Sequence, residues 1–154
     1  MRLNLAKCTF GVAGGKFLGF MLSIRGIEAN PDKCQAIVNM RSPHNVKEVQ
    51  RLAGRIASLA RFLPCMADKS RPIMSLLKKA TKFQWIEECE SAFQDFKTML
   101  TAPPLLAKSD PQLDMIMYIS VSDKAISTVL VQEKTDQLSV YFVSRVLQEA
   151  ETRY

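Results

Sequence analysis

Lys47, Arg51 and Arg55 stand four residues apart, the spacing that lines side chains up along one face of a helix. Three cations in such a row can track the phosphates of a nucleic-acid backbone. Like charges at that spacing repel one another slightly, so a purely structural helix gains nothing from them. Glu48 is the one acid in the same stretch, and it sits beside the apolar stripe. The flanking sequence has the same sign. Residues 31–82 hold 11 basic and 3 acidic side chains, a net of +8, against +3 for residues 1–30 and −5 for residues 83–154. A segment with that excess attracts phosphate, whereas the acidic last segment does not bind nucleic acid by charge alone. The alternative is a solvated basic face that serves solubility and has no partner.

Other chemistries find less support. Cys8, Cys34, Cys65 and Cys89 are scattered and His44 is the only histidine, so no clustered ligand set for zinc is present and the thiols read as structural and reduced. No Asp-Asp pair occurs in the 154 residues. Hydrophobic content of 47% with 23% charged residues is that of a soluble globular protein with one ordinary core or two small, individually marginal substructures. No apolar run approaches the roughly 20 residues that span a bilayer, and the Arg2 to Phe10 start lacks the apolar core of a secretion signal. A cytoplasmic or nuclear protein with no membrane contact is expected.

The elements that must carry these residues follow from periodicity. Phe17 to Ile24 alternates and predicts a strand. Gly14-Gly15 reads as the turn joining it to a first strand at Lys7 to Phe10, and Arg25-Gly26 as a turn into Ile27 to Ala29. Asn30-Pro31 starts a helix to about Met40. Asn45 caps a longer one with the stripe Val46, Val49, Leu52, Ala53, Ile56, Leu59, Ala60 and Leu63, ended by Pro64. A third runs from Arg71-Pro72 through Lys79, with Ser70 as candidate cap. After an extended Phe83-Gln84-Trp85, Glu87, Glu88 and Glu90 crowd the first turn of a helix that Pro103-Pro104 stops. Met115 to Val121, Ile126 to Gln132 and Val140 to Val143 read as a three-strand meander, and Leu147 to Tyr154 as helical.

The string Lys7-Cys8-Thr9-Phe10, Phe17-Leu18-Gly19-Phe20, Gly26-Ile27-Glu28-Ala29-Asn30-Pro31-Asp32-Lys33, Phe83-Gln84-Trp85 and Ser120-Val121-Ser122-Asp123 resembles one place. It is the reverse transcriptase to ribonuclease H stretch of gypsy-type long-terminal-repeat retrotransposon polyproteins, beyond the point where such a polymerase keeps its catalytic Tyr-x-Asp-Asp. The resemblance implies that Asn30 to Lys79 is the helical thumb, which packs against template–primer duplex. The family's Phe-Leu-Gly and Tyr-Tyr-Arg are reduced here to Leu52-Ala53-Gly54, with Ser58 and Leu59 where the tyrosines would be. Gly54 inside a helix costs roughly 1 kcal/mol against alanine; close approach of a sugar-phosphate chain or a tight helix crossing is the expected compensation. Phe17, Leu18 and Gly19 resemble the hairpin that holds the primer terminus.

The resemblance also implies a loss. The family's first ribonuclease H strand carries Asp-Ala-Ser-Asp, whose first Asp ligates the catalytic magnesium ions, and Ser120 stands in that position. A neutral hydroxyl supplies neither the charge nor the bridging geometry that two-metal hydrolysis needs. Asp123, three residues along, falls on the opposite face of a strand. Some plant members of the family carry a similarly degenerate copy that resembles a connection module.

The expected fold class is α+β: a palm-derived β-hairpin at 1–30, a helical thumb at 31–82, and an incomplete ribonuclease H-like β-meander with a helix at 83–154. The expected function is that of a non-catalytic fragment, with no catalytic or metal-binding residues and no cofactor, binding RNA–DNA or DNA duplex through Lys47, Arg51, Arg55, Phe17, Leu18 and Gly19. Two alternatives stand beside it: part of an active RNA-directed DNA polymerase and ribonuclease H polyprotein, or an interaction module that self-associates through an exposed sheet edge.

Overall fold

A computed structural model of the chain describes residues 4, 8, 10–78, 83–148 and 150–153. Strands β1 (Gly15–Phe17), β2 (Phe20–Ser23) and β3 (Gly26–Glu28) form an antiparallel sheet that β4 (Leu106–Ala107) completes. The alternation over Phe17 to Ile24 predicts one strand, but the chain reverses inside it, pairing Phe17 with Phe20 and Lys16 with Met21. The turn is Leu18-Gly19, at φ 48° and 80°, and not Gly14-Gly15. Positive φ at both central residues is what a type I′ two-residue hairpin loop requires, and Gly19 adopts it without steric cost. The strand expected at Lys7 to Phe10 includes Lys7 and Thr9, which lie outside the described residues.

Local sequence does not mark strand β4, because its pairing depends on a distant glycine. Gly26 has φ 145°, and a Cβ added there would stand 2.1 Å from the Leu106 carbonyl oxygen. The pairs Gly26 with Ala107 and Ile27 with Leu106 therefore need the missing side chain.

Helix α1 (Pro31–Val38) is capped by Asn30, whose side chain accepts from the Asp32 N–H at 2.9 Å. Helix α2 (Val46–Ser58) begins in a reciprocal cap: Asn45 Oδ1 accepts from Glu48 N at 3.0 Å, and Glu48 Oε2 accepts from His44 N at 2.8 Å. The α-helix ends at Ser58, five residues short of Leu63. Ala60–Phe62 tightens into a 3₁₀ turn, which directs Leu59, Phe62 and Leu63 together into the core.

Two short helices follow, α3 (Met66–Lys69) and α4 (Arg71–Ser75). Ser70 does not cap α4. It is buried and its hydroxyl turns back to the Ala67 carbonyl. The third helix is shorter than its apolar pattern suggests, and Lys79 lies outside the described residues. Helix α5 (Glu87–Thr101) stops before Pro103-Pro104 as expected.

One apolar cluster holds all of this together. Ile37 of α1, Val49, Leu52 and Ile56 of α2, Ile73 of α4, and Phe93 and Phe96 of α5 are fully buried within it. Both α5 and β4 thus pack with residues 15–75, and the core runs across position 82 without interruption.

Strands β5 (Ile116–Val121), β6 (Ala125–Glu133) and β7 (Gln137–Val146) form the second sheet, in that order. Strand β7 is longer than Val140–Val143 because the polar residues Gln137 and Ser139 continue the ladder with β6 past an irregularity at Leu130/Val131. Gln132, buried, fixes the preceding loop by accepting from Asp110 N and donating to the carbonyls of Asp110 and Leu113.

One face of this sheet meets the helices. Phe142 packs on the core and Ser144 Oγ accepts from the Ala67 N–H at 2.9 Å. On the other face Met117, Ile119, Val121 and Val143 are each more than half exposed. A helix is expected over Leu147 to Tyr154. The sheet instead claims Leu147, whose N–H bonds to the Lys124 carbonyl, and Glu151–Arg153 forms a 3₁₀ turn. Among the described residues no helix is long and apolar enough to cross a membrane.

Candidate nucleic-acid interface

Helix α2 buries Val49, Leu52 and Ile56 on one side and leaves Lys47, Arg51, Gly54 and Ser58 exposed on the other. Steps of four, three and four residues keep these positions on one stripe, which runs about 16 Å along the helix. Gly54 has the geometry of an open approach. A Cβ built on it meets nothing within 4 Å. The tight helix crossing expected as one explanation is therefore not present among the described residues, and no close contact there offsets the glycine's helix penalty.

The row of three cations is a row of two. Arg55 turns off the stripe, its Nη1 donating to the Ala36 carbonyl at 2.6 Å and lying 3.6 Å from Met40 Sδ. It is half-buried and joins α2 to α1. Glu48, the only acid of the helix, is held at the N-terminus by His44 N and Asn45 Nδ2. The backbone hydrogen bond from His44, helped by Asn45 and by the charges of His44 and Arg51, keeps its carboxyl below the usual glutamate range.

Two further cations stand against Phe20. Arg61, in the 3₁₀ turn, is exposed, and its guanidinium lies over the Phe20 ring at 4.8 Å and the Tyr141 ring at 5.6 Å. It continues the stripe one step past Ser58, a spacing legible in the sequence although its rings are not. Lys33 Nζ stands over Phe20 at 5.8 Å and 2.8 Å from where a Gly19 Cβ would be. The hairpin tip itself is apolar and open, with Phe17 60% and Leu18 80% exposed. The structure thus places Phe17, Leu18 and Gly19 on one hairpin and Lys47 and Arg51 on one helix face, with Lys33 and Arg61 against the shared Phe20.

Ser120 is exposed on β5, opposite Ser127, which in turn pairs with Ser144. The three hydroxyl residues lie in one cross-strand row. Among the described residues no three His, Cys, Asp or Glu side chains group so as to hold a metal ion. The neutral oxygens around Ser120 do not suit the hard divalent cations of two-metal hydrolysis.

Residues 85–154 match the RNase H-like domain found in reverse transcriptase. The Transposon Tf2-3 and Tf2-4 polyproteins of Schizosaccharomyces pombe (strain 972 / ATCC 24843) are each 27% identical over 99% of the chain, which spans 12% of their length. Among solved structures, the foamy viral protease-reverse transcriptase in complex with dsDNA superposes on 93% of the chain and 30% of its own, with TM-score 0.75 and 21% identity. The same enzyme in complex with RNA/DNA hybrid covers 92% and 19%, with TM-score 0.76 and 22% identity.

Proposed function

We propose, for a chain that is similar along its length to retrotransposon polyproteins and carries an RNase H-like domain at 85–154, that it is the thumb and connection portion of a reverse transcriptase and binds nucleic-acid duplex without itself catalysing a reaction. The observation that carries this reading is Gly54, open and exposed, with Lys47 and Arg51 on the same helix face. A duplex backbone lying on that face gains two cations and can approach the helix closely. Phe17, Leu18 and Gly19 form an apolar hairpin tip, whose neighbour Phe20 lines a groove with Ala57 and Ser58 at the end of α2, and an apolar tip suits contact with sugar and base more than with phosphate. Arg55 contributes by fixing the angle between α1 and α2. The foamy viral neighbours, whose structures hold dsDNA or RNA/DNA hybrid, support a duplex as the partner.

The serine at position 120 supports the non-catalytic part of the reading, since no anionic oxygen stands where the family's metal ligand would be. The Tf2 polyproteins are far longer than this chain, and in a longer polyprotein other segments would supply polymerase and nuclease acids. Binding is tested by fluorescence titration of a labelled duplex at low salt. The wild type binds without sequence preference, and the Lys47→Glu/Arg51→Glu variant loses binding; equal affinities contradict the assignment.

A second reading rests on β5. Its outer edge is unpaired among the described strands, and Ile116–Val121 contains no charge, proline or glycine, the devices that usually protect an edge. Self-association through this edge predicts a salt-insensitive dimer in analytical ultracentrifugation; a monomer at all salt concentrations excludes it.

A further inference from the structure

The Arg61 guanidinium touches aromatic rings from two distant parts of the chain, Phe20 on β2 and Tyr141 on β7. Phe20 also packs against Phe62 at a centroid distance of 5.8 Å, so its ring is fixed from the core side. Cation–π attraction needs no N–H donor. All five donors of the arginine therefore remain available, in a fork whose orientation is restrained. Among the described residues no carboxylate pairs with Arg61 and no acceptor takes its donors.

The guanidinium opens onto a groove of about 290 Å³ lined by Phe20, Ala57, Ser58, Arg61, Tyr141 and Ser144. This groove begins where the exposed stripe of α2 ends, at Ser58, and leads to β7.

We infer that Arg61, held over Phe20 and Tyr141, is a preorganised phosphodiester contact at which a strand leaving the α2 face passes onto the RNase H-like sheet. Arg61 touches the phosphate; Phe20 and Tyr141 are positioning residues that act through it. The inference rests on the duplex reading above and adds a site of its own. Restraint before binding raises affinity because less side-chain freedom is lost on contact. Removing a ring should weaken binding although no charge changes. A solvated arginine with no ligand makes no such prediction.

The test is the salt dependence of duplex affinity for the full chain, read by fluorescence polarisation, with thermal unfolding as a check that each variant folds. Arg61→Gln should lower affinity about tenfold and make the slope of log affinity against log salt shallower by about 0.9, one phosphate contact. Tyr141→Leu should lower affinity with the charge intact, Tyr141→Phe should leave it unchanged, and Arg61→Lys should keep the slope but bind less tightly. If Arg61→Gln and Tyr141→Leu bind like wild type while Lys47→Glu/Arg51→Glu does not bind, this site is refuted and the α2 face stands. If the wild type binds no duplex, both are refuted.

Discussion

Arg55 Nη1 donates to the Ala36 carbonyl oxygen at 2.6 Å, so the third cation of α2 ties that helix to α1. A half-buried, charge-assisted hydrogen bond of this kind contributes about 1.5–3 kcal/mol. Arg55→Ala should therefore lower unfolding free energy by about 1.5–3 kcal/mol in urea melts, while duplex affinity falls far less than in Lys47→Glu/Arg51→Glu. Loss of affinity without loss of stability would return Arg55 to the binding face.

The cap of α2 gives a pH dependence. The hydrogen bond from the His44 backbone N–H, with smaller help from Asn45, His44 and Arg51, lowers the Glu48 pKa in the folded chain. A carboxyl lowered on folding contributes stability above its unfolded pKa and loses that contribution as pH falls through the folded value. Thermal unfolding from pH 6 down to pH 3 should show a smaller fall for Glu48→Gln than for wild type. Parallel curves would remove Glu48 from the account.

On the proposal that Ser120 stands where the family's metal ligand would be, the purified chain should neither extend a primer nor cut an RNA–DNA hybrid in magnesium or manganese. Ser120→Asp alone should restore nothing, because two-metal hydrolysis needs several anionic ligands and no three His, Cys, Asp or Glu side chains group to hold a metal ion among the described residues. Cleavage by the unmodified chain above a heat-killed control would overturn the non-catalytic reading.

Stability should be uneven. The α2 residues Val49, Leu52 and Ile56 are fully buried, while β5 beyond Ile116 is exposed throughout and forms an open edge. Native-state hydrogen exchange should protect Val49 to Leu59 more strongly than Ile116 to Val121. The reverse order would show that the second sheet is the more stable unit.

The parts of the fold that were legible in the sequence are those fixed by local chemistry. Asn30 and Asn45 announce their helices because a capping oxygen acts within three residues. The acidic first turn of α5 and the prolines after it mark both its ends. The meander showed as β-branched runs.

What stayed hidden depends on contacts between distant residues. The hairpin reverses at Leu18-Gly19, where leucine accepts a positive φ against its own preference. Strand β4 exists because Gly26, far earlier in the chain, leaves room for Leu106. The four-residue spacing of Lys47, Arg51 and Arg55 gave their direction along the helix correctly. It carried no information about the neighbouring helix that takes Arg55, or about the rings that receive Arg61.

Gly54→Gln probes the approach of nucleic acid to α2, since it adds bulk without charge at a position where the described residues leave open space. Glutamine is the better helix former, so the variant should be more stable by roughly half a kcal/mol or more. If a duplex backbone lies against this face, the same variant should bind duplex several-fold more weakly in a low-salt titration. Higher stability with weaker binding is the predicted result. Higher stability with unchanged binding would contradict the claim that nucleic acid approaches α2 at Gly54.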